Sequence, residues 1–294
     1  MLKKNYIEFK KKREFGEILG DTFAFLRTQF KPFFSTLLKI AGPYIFAFLV
    51  AYAFYMYAFN GVLNFNVERS NDMYNPILMV VAMFFFFVTL IFSYAMAQSV
   101  TLHYIKNYIE NNGETNYSQV KSEVYTNFWK FIGLSFLAGI CLVIGTMICV
   151  IPGIYLFVPL SLSFSILIFN KKNVSDAFSD SFSLVKDHWW ITFVYLLVVF
   201  IIVMVAGWAF SIPSVIYTYA KMGIFSGEMD PENMMSSLTD PIAILLNAIS
   251  TLFQYLLNII SVVACVIIYF DLNEKKNLTG TMERIQNLGN TSKL

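Results

Sequence analysis

Five polar side chains recur late in the chain at spacings of 4, 3, 4 and 3: Asn247, Thr251, Gln254, Asn258 and Ser261. At about 100° per residue they share an arc of roughly 80° on one side of a helix. They are amides and hydroxyls, which donate and accept hydrogen bonds but carry no charge to titrate. The segment around them is apolar, and amides facing hydrocarbon are costly, so this face is expected to point into a helix bundle. Two chemistries fit it. One is a polar path or head-group site; the other is a set of interhelical hydrogen bonds that holds the bundle together. The serines of "PLSLSFS" (Ser161, Ser163, Ser165) are sparser and can close their bonds on their own helix.

Reaction chemistry has little to work with. His103 and His188 are the two histidines, far apart, and neither has a neighbour at metal-ligand spacing. No nucleophile elbow or glycine-rich phosphate loop occurs. Cys141, Cys149 and Cys265 all lie in apolar runs without paired spacing and read as small hydrophobes. The acidic stretch "GEMDPENMM" (Glu228, Asp230, Glu232) lacks EF-hand spacing and reads as a solvated turn. The expectation is no catalytic residue, no metal and no cofactor, hence not an enzyme.

The elements that must carry these residues are set by hydropathy. The 294 residues are 57% hydrophobic and only 14% charged, with 31 Phe, where a water-soluble domain carries about a quarter charged residues. Charge-free runs of 18 or more residues read as membrane spans. Six are predicted: about 35–59, 77–101, 131–151, 153–170, 190–212 and 241–270. No Asp or Glu falls inside them, which weighs against proton-coupled transport. Lys39 lies about one turn inside the first and is expected to snorkel. The basic start "MLKKNYIEFKKKRE" is followed by no short apolar region with a cleavage site, so no cleaved signal is expected.

Residues 131–169 contain no charge. As one helix they would reach roughly 58 Å at 1.5 Å per residue, against a hydrocarbon core of about 30 Å. Two spans fit instead. Pro152 and Gly153 mark the break, Pro152 by disfavouring helix before it and Gly153 by permitting a left-handed turn, so "VIPGIY" is predicted to be a tight hairpin.

Lys and Arg orient the spans. Nineteen of the 21 fall before the first span's core (Lys39 included), in 102–130, in 171–189 and after Phe270, whereas the other side has only Arg69 and Lys221. By the positive-inside rule both termini are cytoplasmic. The basic N-terminus with Tyr6 and Phe9 could touch anionic head groups; topology already accounts for its charge, so no nucleic-acid partner is expected.

Three cytoplasmic segments resemble one another: 15–31, 117–130 and 174–188. Glu17 aligns with Asp176, Asp21 with Asp180, Phe23 with Phe182 and Arg27 with Lys186; Gln119, Glu123 and Tyr125 take the matching places in the second copy. In the first, Phe15, Ile18, Leu19, Thr22, Phe23, Leu26 and Phe30 form one apolar face. Each segment is expected to be an amphipathic helix in the membrane interface. The fold class is therefore all-α: a polytopic membrane bundle of six transmembrane helices, as three hairpins each preceded by an interfacial helix. Residues 1–294 would form a single membrane domain, with 271–294 a cytoplasmic tail.

The stretch from Val150 to Phe193, with Pro152-Gly153, Asp176-Ala177, Ser181-Phe182 and Trp189-Trp190, resembles the membrane domain fused to some bacterial glycerophosphodiester phosphodiesterases and related stand-alone membrane proteins. The exit Tyr269-Phe270-Asp271-Leu272 is similar to that family's last-span end. The resemblance implies a six-span bacterial inner-membrane protein. It implies no activity, because the family's phosphodiesterase chemistry belongs to a separate soluble barrel with histidine and carboxylate metal ligands. The leading expectation is a non-enzymatic scaffold or a subunit that binds membrane lipids, another membrane protein or a second copy of itself. The alternative is a transporter or permease for a lipid-like or small neutral solute, using the polar face of the last span.

Overall fold

The computed structural model describes residues 6–63, 76–225, 227, 237 and 240–291. Among them there is no strand, and the chain is an all-α bundle. Helix α1 spans Phe15–Thr28, α2 Phe30–Leu63, α3 Pro76–Glu110, α4 Tyr117–Ile148, α5 Val150–Phe169, α6 Val174–Val185 and α7 Trp189–Lys221. Helix α8 spans Pro241–Asn277 and α9 Thr279–Thr291, and a single 3-10 turn, Lys186–His188, joins α6 to α7. Six of these segments are long and apolar enough to cross a membrane. Arg69 and the acidic residues Glu228, Asp230 and Glu232 lie outside the described residues.

The chain divides into two compact units. One comprises residues 1–40, 95–201 and 259–294; the other comprises 41–94 and 202–258. The physical reason is length. Helices such as α3, with 35 residues, and α8, with 37, far exceed the ~20 residues a bilayer requires, so one helix can supply residues to two cores.

The first unit is organised around α5. Val158, Leu160, Leu162, Ile166, Leu167 and Ile168 are all buried, and α4 and α6 both pack against this helix. Around α1 and the chain that precedes it lies an aromatic core. Phe25 meets Phe9, Tyr104 and Tyr108 edge to face at 5.3–6.4 Å between ring centroids, the geometry that ring quadrupoles favour. Phe169 packs on Phe270 at 4.7 Å and stacks on Tyr269 at 5.6 Å.

The hairpin at "VIPGIY" is real but its break is elsewhere. Cys149 leaves the helix with extended backbone (φ −167°, ψ 152°), and α5 begins at Val150. Pro152 therefore sits in the first turn of α5, where its missing N–H costs nothing. Gly153 is absent from the positive-φ residues, so it supplies no left-handed turn. Its role is close approach: a Cβ there would lie 2.3 Å from Thr146 Cγ2 and 3.2 Å from Thr146 Cα. Gly145 faces it, and a Cβ on Gly145 would meet Leu156 Cδ1 at 2.9 Å and Gly153 Cα at 3.3 Å.

The three similar segments, 15–31, 117–130 and 174–188, diverge. The first is a separate helix, α1, set off from α2 by Gln29 alone. The third is α6 with its 3-10 turn. The second, 117–130, is no separate helix: α4 continues through 130 into its apolar half without interruption, because no proline lies between Tyr125 and Leu134 and the lone Gly133 is tolerated within a helix. The predicted tail at 271–294 also differs. Helix α8 runs through Asp271 to Asn277, and α9 follows after Leu278 takes a left-handed φ of 52°.

Candidate functional site

The polar arc of α8 falls partly within the second unit. There Gln254 Nε2 donates to Ser211 Oγ on α7 at 2.9 Å, and Asn258 Nδ2 to the Tyr94 hydroxyl on α3 at 3.4 Å. Thr251 Oγ1 donates to the Asn247 carbonyl one turn back at 2.8 Å. Gly207 makes room for Gln254, whose Cγ would lie 3.4 Å from a Cβ at that position. The exposed apolar residues Ile242, Leu245, Ile249 and Phe253 occupy the opposite side of the helix, so the polar arc does face away from the apolar one. It is not buried, however. Gln254 and Asn258 are exposed, Asn247 and Thr251 half-buried, because the neighbours are small (Gly207, Ser211) and leave the amides uncovered. Ser261 belongs to the first unit and is half-buried.

The buried polar contact on this helix is one the periodicity did not single out. Tyr255 donates to the Ser93 carbonyl at 2.5 Å and accepts from Ser93 Oγ at 3.0 Å. Both residues are buried.

A second polar region lies in the first unit, where the sequence suggested only a basic start and a tail. Arg13 and Asp271 are buried. The Arg13 guanidinium donates to the carbonyls of Phe9 at 2.7 Å and Glu8, and to Asp21 Oδ2 at 2.9 Å. Asp271 accepts from the Arg13 amide at 2.7 Å and from Lys275 Nζ at 2.6 Å. Glu274 receives the Gly280 and Thr281 amides at 2.7 and 3.0 Å, capping α9. Gly280 is required here because a Cβ would sit 2.4 Å from the Lys10 carbonyl oxygen. The residue pattern that could have revealed this is the pair of carboxylates, Asp271 and Glu274, three apart at the end of an apolar helix.

The aligned acids of the segments 15–31, 117–130 and 174–188 share one contact type. Asp21 pairs with Arg13 and Lys11 (2.9 and 3.2 Å), Glu123 with Lys106 (2.7 Å) and Asp180 with Lys172 (3.4 Å). Each partner precedes its acid in the chain. Lys39 Nζ lies 5.6 Å from the Tyr117 ring centroid, a cation–π arrangement.

Between the ends of α3, α4 and α5 in this unit is a cavity of about 330 Å3. Its lining includes His103 and Lys106 from α3, Glu123, Asn127 and Lys130 from α4, and Lys171 and Lys172 just beyond α5. His103 is buried, with Nδ1 2.8 Å from the Ser99 carbonyl and Nε2 3.2 Å from Asn127 Nδ2. These partners assign the proton to Nδ1 and make Nε2 an acceptor. His188 is remote in sequence and lies in the 3-10 turn. Among the described residues no group of three His, Cys, Asp or Glu could hold a metal ion, and all three cysteines are free.

A family profile matches residues 124–272, just over half of the 294 residues. The chain belongs to this family, a domain of unknown function, DUF7847. Neither curated proteins nor solved structures gave a match. The DUF7847 region takes in the Gly145–Gly153 crossing, the polar arc of α8, Asp271, and Asn127, Lys130, Lys171 and Lys172 of the cavity. Arg13 and Lys106 lie before it.

Proposed function

We propose that the chain is a non-enzymatic protein of the bacterial inner membrane, with both termini cytoplasmic, that binds lipid and serves as a scaffold for membrane partners. One observation carries this reading: the cytoplasmic segments present bulky aromatics that their own fold leaves uncovered. On α1, Ile18, Thr22 and Phe25 are buried, whereas Phe23, and Phe30 at the start of α2, stay exposed. Trp129 on α4 is 73% exposed and Trp190 on α7 is 75% exposed. Indole rings beside lysine-rich segments suit the head-group level of a bilayer. The ion pairs at Asp21, Glu123 and Asp180 support an internal repeat, in which one interfacial unit is used three times.

The test uses the Trp189→Phe/Trp208→Phe variant, which leaves Trp129 and Trp190 as the fluorophores. In bilayers, lipids brominated high on the acyl chain should quench it more strongly than lipids brominated near the chain end. Gentle extraction and native mass spectrometry should then show retained lipid or a stoichiometric protein partner. Unquenched tryptophans, or a chain that emerges bare, overturn the reading.

A second reading, a permease for a lipid-like or small neutral solute, is favoured by the accessibility of Gln254 and Asn258 on the side of α8 away from its exposed apolar residues. Under it, Asn247→Leu/Gln254→Leu/Asn258→Leu should abolish solute flux in vesicles while the protein still melts like the wild type. If the triple variant loses stability first, the arc is structural.

A further inference from the structure

We propose that the cavity formed by the ends of α3, α4 and α5 binds a phosphate monoester group, carried either by a lipid head group or by a soluble phosphate. The lipid source rests on the lipid-binding reading above; the cavity itself does not.

The charge pattern selects the ligand. Lys106 is compensated by Glu123 at 2.7 Å, and Lys172 faces Asp180 at 3.4 Å. Lys130 and Lys171 also line the cavity, and among the described residues neither has an ion-pair or hydrogen-bond partner for its ammonium group. Two uncompensated cations therefore border one concavity. A phosphate monoester carries about −1.5 to −2 at neutral pH and three acceptor oxygens, which answers both; a single carboxylate would answer one. A positive-inside distribution alone spreads lysines over a face. It does not gather them, from three separate stretches of chain, around a cavity whose size reaches the lower end of small-molecule sites (about 300–1,000 Å3).

The wall is prepared for such a ligand. Asn127 spends its amide hydrogens on the Glu123 carbonyl at 3.0 Å and on His103 Nε2. Thr126 donates to the Ser122 carbonyl at 2.9 Å. These bonds fix the α3 and α4 sides without using the lysines. Lys171 has a left-handed φ of 52°, a conformation uncommon for a non-glycine residue, in the turn that ends α5. Trp129, next to Lys130, is exposed and is suited to set the mouth at head-group depth.

The experiment uses the full chain in neutral detergent with three probes: dioctanoyl phosphatidic acid, inorganic phosphate and dioctanoyl glycerol. Binding is read by calorimetry and native mass spectrometry. The expected result is one phosphatidic acid per chain and no diacylglycerol. Losing two charge-assisted contacts in Lys130→Gln/Lys171→Gln should weaken that binding by about tenfold or more. Lys130→Arg/Lys171→Arg, which keeps both charges, should retain it. Lys121→Gln/Lys186→Gln, which removes two exposed lysines elsewhere on the cytoplasmic segments, should change nothing. Inorganic phosphate that binds as tightly as the lipid identifies a soluble ligand; phosphatidic acid binding alone identifies a head group. The proposal is overturned if neither phosphate probe binds, if Lys130→Gln/Lys171→Gln binds like the wild type, or if the Lys121/Lys186 control is weakened equally. Phosphate binding by a chain that retains no lipid on extraction leaves the cavity standing and removes the scaffold reading. Retained neutral lipid with no phosphate binding does the reverse.

Discussion

The backbone amide of Arg13 donates to the Asp271 carboxylate at 2.7 Å across 258 residues of chain. The second Asp271 oxygen takes Lys275 Nζ at 2.6 Å, and the Arg13 guanidinium is held by the carbonyls of Glu8, Phe9 and Lys11 and by Asp21. The N-terminal segment is thus fastened to the last long helix through buried, charge-assisted bonds, which are about twice as strong as neutral ones. Removing Asp271 leaves the buried Arg13 amide without its acceptor, while the guanidinium keeps Asp21.

Asp271→Ala should therefore lower the unfolding free energy by about 1–3 kcal/mol, the cost of a buried amide left without an acceptor. Asp271→Asn keeps an acceptor for the Arg13 amide and should cost less. Thermal melts in detergent, with limited proteolysis at the N-terminal lysines, read both effects. An Asp271→Ala protein that melts and resists protease like the wild type would show that this fastening holds nothing.

At the α4–α5 crossing, Gly153→Ala must push a methyl against Thr146. Overpacking of this kind costs about 1–3 kcal/mol. Thr146→Ser removes the Cγ2 atom that a Gly153 Cβ would approach to 2.3 Å, so the double variant should regain part of the loss. A double-mutant cycle on melting temperature tests the coupling; additive effects would contradict close packing at this site.

The long elements were legible because lipid imposes a single-signal rule: apolar runs of sufficient length cross. Residues 35–59 and 241–270 sit inside α2 and α8 for that reason. The ends were not legible. Hydropathy stops at Phe270, but the helix continues for another two turns because Asp271 and Glu274 find buried partners far away in sequence. Such partners leave no periodic trace. Pro152-Gly153 marked the right hairpin for a different cause, since both residues serve the first turn and the helix contact, not the link. The 3.6-residue period correctly placed Gln254 and Asn258 on one face. It could not foresee that Gly207 and Ser211 would leave them accessible. The cavity was invisible because its lysines, scattered at 106, 130 and 171–172, meet only after α3, α4 and α5 pack.

Helix α1 should be sensitive to acid at its first turn. Glu17 accepts the Glu14 amide at 3.0 Å and lies 3.6 Å from Lys11 Nζ. The backbone hydrogen bond first, and Lys11 second, hold its carboxyl below the usual range. A depressed carboxylate contributes stability above its unfolded value, about 4.3, and loses it as pH falls through the lower folded value. Glu17→Ala should accordingly show less amide protection than the wild type over residues 18–21 near neutral pH. The two should converge once the pH lies below the folded value. Protection factors from hydrogen exchange decide it, and a difference that persists in acid would assign the effect to helix propensity instead of charge.

Tyr255 offers the sharpest test of polar packing within the second unit. Its hydroxyl donates to the Ser93 carbonyl and accepts from Ser93 Oγ, and both side chains are buried. Tyr255→Phe removes both bonds and leaves the Ser93 hydroxyl to find a new acceptor. A buried group left unsatisfied costs about 1–3 kcal/mol. Ser93→Ala removes only the bond from Oγ and leaves the stronger Tyr255–carbonyl bond in place, so its cost should be smaller. Adding Ser93→Ala to Tyr255→Phe removes the orphaned hydroxyl and should recover part of the loss. The Phe ring keeps its place near Phe48, whose centroid lies 6.4 Å from that of Tyr255, so packing is conserved and the melting shift reports the hydroxyl. Equal costs for the two single variants, or no recovery in the double, would mean that the pair is not what fastens α3 to α8 here.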